Sequence, residues 1–121
     1  MIEVESDRAK NLIVVRYHGH VTATDTAAHV AKLKTAIDTM QPAFGLLADL
    51  SDLELMDVDR APHIAQVMDY ANACGVGTVV RVIPDPRRDI GMQIMSIFHY
   101  RGNVQVVTSN TLDEAMKILF D

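Results

Sequence analysis

The stretch Phe44-Gly45-Leu46-Leu47-Ala48 decides the fold, because it is an unbroken apolar run near the middle of the chain. Such a run is typical of a strand buried on both faces, which occurs where helices cover both sides of a parallel sheet. The sequence therefore predicts an α/β domain with this strand in the sheet interior, ending at residues 49–52.

Two strands are predicted upstream of this run. Residues 2–5 alternate apolar and charged side chains, as a short edge strand does, and the polar residues 7–11 suit a turn. Leu12–Tyr17 is rich in apolar and β-branched side chains and predicts a second strand that pairs with the first and ends at Gly19.

A helix is predicted between these strands and the central run. Thr24 or Asp25 can cap it, and residues 41–42, Gln-Pro, stop it. Its apolar stripe follows helical spacing and consists of Val30, Leu33, Ile37 and Met40.

Helices and strands alternate after the central run. A second helix is predicted from about Val58 to Cys74, with Gly75 at its C′ position. Strands are predicted over residues 78–83 and 104–108, with a third helix between them at about residues 87–99. The residues expected to face inward on the second helix are Ile64, Val67, Met68 and Ala71. The final helix, capped by Ser109 or Asn110, carries Leu112, Ala115, Met116 and Leu119.

The predicted element order is β-β-α-β-α-β-α-β-α in one domain over residues 1–121. Strands that alternate with helices are expected to be parallel with right-handed crossovers, and the first strand is expected to be antiparallel. The sequence thus predicts a mixed, mostly parallel sheet with outer helices.

Composition excludes several functional classes. The formal net charge of −5 argues against binding nucleic acid, which needs a basic surface, and against docking on anionic membrane by charge. The single cysteine, Cys74, excludes an intramolecular disulfide. No apolar stretch approaches the roughly 18 residues that cross a bilayer, and the first residues do not form a signal peptide. A soluble cytoplasmic protein is the expectation.

The segment from Asp49 to Arg60 resembles a motif of the STAS (anti-sigma factor antagonist) domain family. After their third strand, such domains read Asp-Leu-Ser, a spacer, an apolar residue, a spacer, two apolar residues and then Asp-Ser-Ser-Gly. The ending Thr111–Met116 is also similar to the family's last helix. The positions that match the motif without a gap are Asp49, Leu50, Ser51, Leu53, Leu55, Met56 and Asp57.

The motif departs from the family where the family is phosphorylated. The resemblance implies that the second Ser of Asp-Ser-Ser-Gly accepts phosphate from a partner kinase, but here that position is Asp59 and the Gly is Arg60. A carboxylate cannot form the stable phosphoester that a hydroxyl forms, and it carries permanent negative charge. The protein is either locked in a phosphorylated-like state or repurposed. The expected partner-binding residues are Asp57, Val58, Asp59 and Arg60, and the expected partner is an anti-sigma factor or a kinase-like protein.

The predicted third helix carries two further candidate sites. Met92 and Met95 lie on a different face from its isoleucines, which predicts either an interface with a partner or second copy, or cover by flanking loops. Arg87 and Arg88 at its start are candidates for contact with an anion. Arginines in such a position are more often simply exposed to solvent.

No residue pattern predicts catalysis, a metal or a cofactor. His18 and His20 have zinc-like spacing but no third ligand, so structural roles are favoured. Helix capping is favoured over cation binding for the carboxylates Asp49, Asp52, Asp57, Asp59 and Asp85. The sequence predicts a non-catalytic protein-interaction module. The alternative is a small-molecule or lipid-binding domain, which an enclosed apolar cavity beneath the second or third helix would favour.

Overall fold

A computed structural model describes residues 1–56, 61–83 and 104–120 of the chain. Its strands are β1 (Ile2–Asp7), β2 (Leu12–Val21), β3 (Gly45–Met56), β4 (Thr78–Val82) and β5 (Gln105–Ser109). Its described helices are α1 (Ala23–Asp38), α2 (Ala61–Ala73) and α3 (Leu112–Phe120). The helix predicted at about residues 87–99 lies outside the described residues.

The five strands form one sheet in the order β1-β2-β3-β4-β5, with β1 antiparallel to β2 and the other pairs parallel. The predicted mixed sheet with its antiparallel first strand is confirmed, and β3 lies in its centre. Leu46 and Ala48 face the core beneath α1 and α2, whereas Leu47 packs with Val80 and Ala115 on the α3 side. An apolar run is required in β3 because helices cover both of its faces.

The inward faces of α1 and α2 agree with the predicted stripes. Leu33 and Ile37 of α1 are buried and Val30 is half-buried. Met40 is half-buried but lies two residues beyond the end of α1, so its predicted place on the helix is wrong. The predicted inward residues of α2 are all buried, namely Ile64, Val67, Met68 and Ala71. Helical spacing identifies these residues because side chains three and four positions apart share one face.

The predicted ends of β2 and β3 are wrong, because both strands continue beyond them. Gly19 adopts a left-handed φ of 61° beside a shift in register, where β3 carries an extra residue opposite β2, and β2 runs on to Val21. Arg16 of β2 pairs with Asp49 of β3, and Val21 pairs with Met56. Between these two pairs β2 advances by five residues and β3 by seven, so the extra residues belong to β3. The segment expected to follow β3 is therefore a bulged continuation of it.

The predicted caps of α1 and α3 are also wrong by a few residues. Thr22 caps α1, since its hydroxyl accepts a hydrogen bond from the Asp25 N–H at 3.3 Å. Thr111 caps α3 in the same way, accepting from the Glu114 N–H at 3.2 Å. In each helix a threonine three residues before an acidic residue forms the cap, as capping boxes do.

The end of α2 confirms the role predicted for Gly75, whose φ is 88°. The Gly75 N–H donates to the Asn72 carbonyl at 3.2 Å, and the Val76 N–H donates to the Ala71 carbonyl at 3.1 Å. This pair of bonds is the Schellman arrangement, which needs a left-handed residue at C′. None of the described helices is long and apolar enough to span a membrane.

Candidate functional site

The candidate site is the carboxyl edge, which we define as the ends of β2 and β3 at Val21 and Met56 with the beginnings of α1 and α2 at Ala23 and Ala61. Loops at this edge of a parallel sheet commonly carry binding residues. Residues 57–60 connect Met56 to Ala61 here. The predicted partner-binding residues, Asp57, Val58, Asp59 and Arg60, lie outside the described residues, and the structure defines the two ends that they join.

A capping box fixes the beginning of α1 at the carboxyl edge. One carboxylate oxygen of Asp25 accepts hydrogen bonds from the Thr22 N–H and the Thr22 hydroxyl, each at 3.0 Å. The backbone N–H and the hydroxyl of Thr22 lower the pKa of the Asp25 carboxyl below its ordinary value. Asp25 is thus held as a carboxylate at the positive end of the helix dipole.

A hydrogen bond between Thr26 and His63 joins the beginnings of α1 and α2. The Thr26 hydroxyl lies 3.0 Å from His63 Nδ1 and 3.3 Å from the Thr22 carbonyl. Thr26 is completely buried. The bond positions the first turn of α2, directly after residues 57–60, against α1. Sequence reasoning missed this pair because its members are 37 residues apart.

Comparison with solved structures finds the same architecture. SpoIIAA in its unphosphorylated form matches with a TM-score of 0.67 at 17% identity, covering 98% of this chain and 97% of that one. The fold is STAS-like. Bacillus SpoIIAA in the phosphorylated form matches with a TM-score of 0.70 at 17% identity, covering 98% of this chain and 99% of that one. At such identities the likeness shows the fold alone.

Two further structures with the STAS-like fold match nearly the whole chain. An anti-sigma factor antagonist from Mycobacterium paratuberculosis matches with a TM-score of 0.64 at 18% identity, covering 100% of this chain and 96% of that one. An uncharacterized DUF3478 protein with a SpoIIAA-like fold from Shewanella loihica PV-4 matches with a TM-score of 0.74 at 13% identity, covering 98% of this chain and 93% of that one. No protein-family profile and no curated protein matches the chain.

The Asp-Leu-Ser part of the STAS-like motif lies within β3. Leu50 and Ser51 lie between the paired residues Asp49 and Asp52, where β3 carries an extra residue relative to β2. The Asp49 carboxylate accepts hydrogen bonds from the Ser51 N–H at 3.0 Å and from the Ser51 hydroxyl. Asp49 therefore satisfies a backbone N–H in the bulge of β3. The predicted helix-capping role is wrong for this carboxylate, because it lies within a strand.

His18 is held between two carboxylates on neighbouring strands. Its Nε2 lies 3.4 Å from a Glu3 oxygen, and its Nδ1 lies 3.3 Å from an Asp52 oxygen. The carboxylates approach opposite ring nitrogens, so the three side chains do not surround one point as metal ligands do. Within the described ranges, no group of three such residues could hold a metal ion.

A cluster of buried polar side chains, Tyr17, His29 and Arg81, lies between the sheet and the helices α1 and α2. The Tyr17 hydroxyl is 3.5 Å from His29 Nε2, and Arg81 donates to the Thr108 hydroxyl at 2.7 Å. Burial raises the pKa of Tyr17 and lowers the pKa of His29 to about 4. Both side chains are therefore neutral at pH 7. His29 lies on the inward stripe of α1, which is the signal that could have identified it.

The cavity lined by Tyr17, His29 and Arg81 has a volume of about 30 Å³, and Ile64 and Met68 of α2 close it. Ligand pockets enclose roughly 300–1,000 Å³, and this space suffices for roughly one or two water molecules.

The remaining predicted sites lie outside the described residues. They are the interface residues Met92 and Met95 and the anion-contact residues Arg87 and Arg88. Both sites stay predictions.

Proposed function

We propose that this protein is a non-catalytic interaction module that binds a protein partner at the carboxyl edge. The observation that carries the proposal is the STAS-like fold, which two anti-sigma factor antagonist structures share over 98% or more of this chain. In this fold, residues 57–60 connect the end of β3 to the first turn of α2. The proposed partner is an anti-sigma factor or a kinase-like protein.

Asp59 defines how the proposed module differs from a phosphorylation switch. One of the matched structures is of SpoIIAA in the phosphorylated form, so that protein accepts a phosphoryl group. In this chain the resemblance aligns Asp59 with the phosphoacceptor, and a carboxylate supplies one fixed negative charge where phosphoserine supplies about −1.5 to −2. Partner binding is therefore proposed to be independent of kinase activity.

The small-molecule or lipid alternative gains no support from the described residues. The cavity beneath α2 is about 30 Å³, too small for a lipid chain or a metabolite. Its liners Tyr17 and Arg81 are buried within the core.

The proposal is tested by titration calorimetry against each anti-sigma factor encoded in the same genome. We expect one to bind, with Asp59→Lys weakening the affinity by about tenfold or more because an interfacial charge is reversed. Asp38→Lys is the matched control, since Asp38 is exposed at the end of α1 that lies away from the carboxyl edge. It is expected to change the affinity by less than about twofold.

Two results would contradict the proposal. One is that no anti-sigma factor binds at roughly 100 µM, which is weaker than a typical regulatory interaction. The other is that both charge reversals weaken binding equally, since the carboxyl edge would then not be the binding site.

A further inference from the structure

The outer edge of β1 offers unpaired backbone groups. Among the described residues no strand pairs with this edge, because β1 is the first strand of the sheet order. The Met1 N–H group donates to the His18 carbonyl at 2.9 Å, and the His18 N–H donates to the Met1 carbonyl at 2.8 Å. Hydrogen-bonded and non-hydrogen-bonded pairs alternate in antiparallel strands. The N–H and C=O groups of Ile2, Val4 and Ser6 therefore point away from β2.

Two of these three residues, Val4 and Ser6, border a cleft between β1 and α1. This cleft has a volume of about 420 Å³, and Val4 and Ser6 form its strand side. Its helix side carries Ala31, Thr35 and Ala36, whose small side chains leave the space open. A strand added beside β1 would direct alternate side chains into this cleft, because side chains alternate between the two faces of a sheet.

The opposite face of β1 carries three carboxylates, and Arg8, Lys10 and Arg16 line the same space as two of them. Glu3, Glu5 and Asp7 are exposed, and their side chains lie on the face away from the cleft. Arg16 contacts one oxygen of Glu5 at 3.0 Å, and the contact of Glu3 with His18 is similarly exposed. Exposed ion pairs of this kind are weak and leave the carboxylates able to attract an added cation.

From this geometry we infer that the β1 edge is a second binding site, which takes an extended peptide segment of a partner protein by strand addition. The peptide alternates apolar and basic residues. Its apolar side chains enter the cleft, and its basic side chains face Glu3, Glu5 and Asp7. Lys32 borders the cleft and disfavours basic side chains on that side.

A second copy of this chain is a poor occupant of the same edge. Pairing β1 with another β1 would bring six carboxylates together on one face, because each copy contributes Glu3, Glu5 and Asp7. Like charges directly opposite each other in a sheet are destabilising. The three carboxylates along β1 therefore favour a basic peptide strand over a second β1.

The test uses a fluorescein-labelled peptide of sequence Lys-Val-Lys-Val-Lys-Val, with Glu-Val-Glu-Val-Glu-Val as its matched control. Fluorescence polarisation is expected to show binding of the basic peptide with a dissociation constant below about 1 mM, and at least about tenfold weaker binding of the acidic one. Amide chemical shifts should change in β1 and in the cleft-facing turns of α1.

Two variants of the protein separate strand addition from simple charge attraction. Val4→Pro removes an outward N–H without removing a bond to β2, so it should weaken binding by about tenfold or more. Val4→Ala is the control, since it keeps this N–H and should weaken binding by less than about threefold. Ala31→Trp fills the cleft from an exposed position of α1 and should also abolish binding, which keeps the test valid if the proline variant fails to fold.

Three results would overturn the inference. They are no binding of the basic peptide at about 1 mM, unchanged binding by a folded Val4→Pro or Ala31→Trp variant, and equal binding of the acidic peptide. The inference does not rest on the carboxyl edge, so it can fail while the proposed function holds.

Discussion

His29 is a core residue whose charge state is set by its surroundings. It is 3% exposed, and Nδ1 has no hydrogen-bond partner among the described residues. Burial lowers its pKa from 6.5 to about 4, because the imidazolium form would lose its hydration. The folded protein therefore keeps a neutral imidazole over a range of pH in which the unfolded chain binds a proton.

This difference predicts a pH-dependent stability. Between pH 6.5 and about 4 the unfolded state binds more protons at His29, so the free energy of unfolding falls as the pH is lowered through this window. The His29 contribution is on the order of 3 kcal/mol and is fully present above pH 6.5. Urea unfolding at a series of pH values checks it.

His29→Gln is the control for the other groups that titrate in this window. As the pH falls from 6.5 to 4, the free energy of unfolding should decrease less for the variant than for the wild type. Parallel curves for the two proteins would show that His29 is not held neutral by the fold.

At the level of the element, the first turn of α1 depends on Thr22. Its hydroxyl satisfies the Asp25 N–H, and Asp25 accepts from the Thr22 N–H in return. Thr22→Ala should lower the free energy of unfolding by about 1 kcal/mol, the usual cost of losing such a cap. Thr24 is exposed, is the second residue of the helix and is the matched control.

Urea unfolding of both alanine variants measures the difference. Thr24→Ala should change stability by less than about 0.5 kcal/mol, as most exposed substitutions do. A larger loss for Thr24→Ala than for Thr22→Ala would show that the helix begins where the sequence alone predicted.

Local sequence patterns identified the strands and helices of the described residues but misjudged several of their ends. The stripe of α2 and the apolar run in β3 were predictable, because burial imposes a regular spacing on each element. The continuation through Gly19 was not, because a glycine that ends a strand and a glycine opposite a bulge look alike without the pairing partner. Thr22 and Asp25 do have capping-box spacing, so that cap could have been found.

The candidate site was predictable to a smaller extent than the fold. The role of Asp59 stays a prediction that rests on a family motif, since nothing in its local spacing distinguishes it from a solvated carboxylate. The Thr26–His63 bond and the cleft beside β1 each depend on residues brought together by the whole fold. Patterns along the chain do not contain such pairs.

For the molecule as a whole, the sheet separates two proposed binding regions. The carboxyl edge lies at the ends of β2 and β3, whereas the peptide-binding edge runs along the length of β1. Helix α1 contributes to both regions. Its beginning lies at the carboxyl edge, and its exposed side borders the cleft beside β1. The two proposed sites have no lining residue in common, so we expect both partners to bind at the same time.

The most direct test of the central claim is intact-mass spectrometry after incubation with ATP and the anti-sigma factor kinase that binds the chain. We predict that the wild type stays unmodified and that Asp59→Ser gains one phosphoryl group at position 59, because a hydroxyl then occupies the phosphoacceptor position. Phosphorylation of the wild type at Ser51, or no phosphorylation of the folded Asp59→Ser variant, would contradict the account.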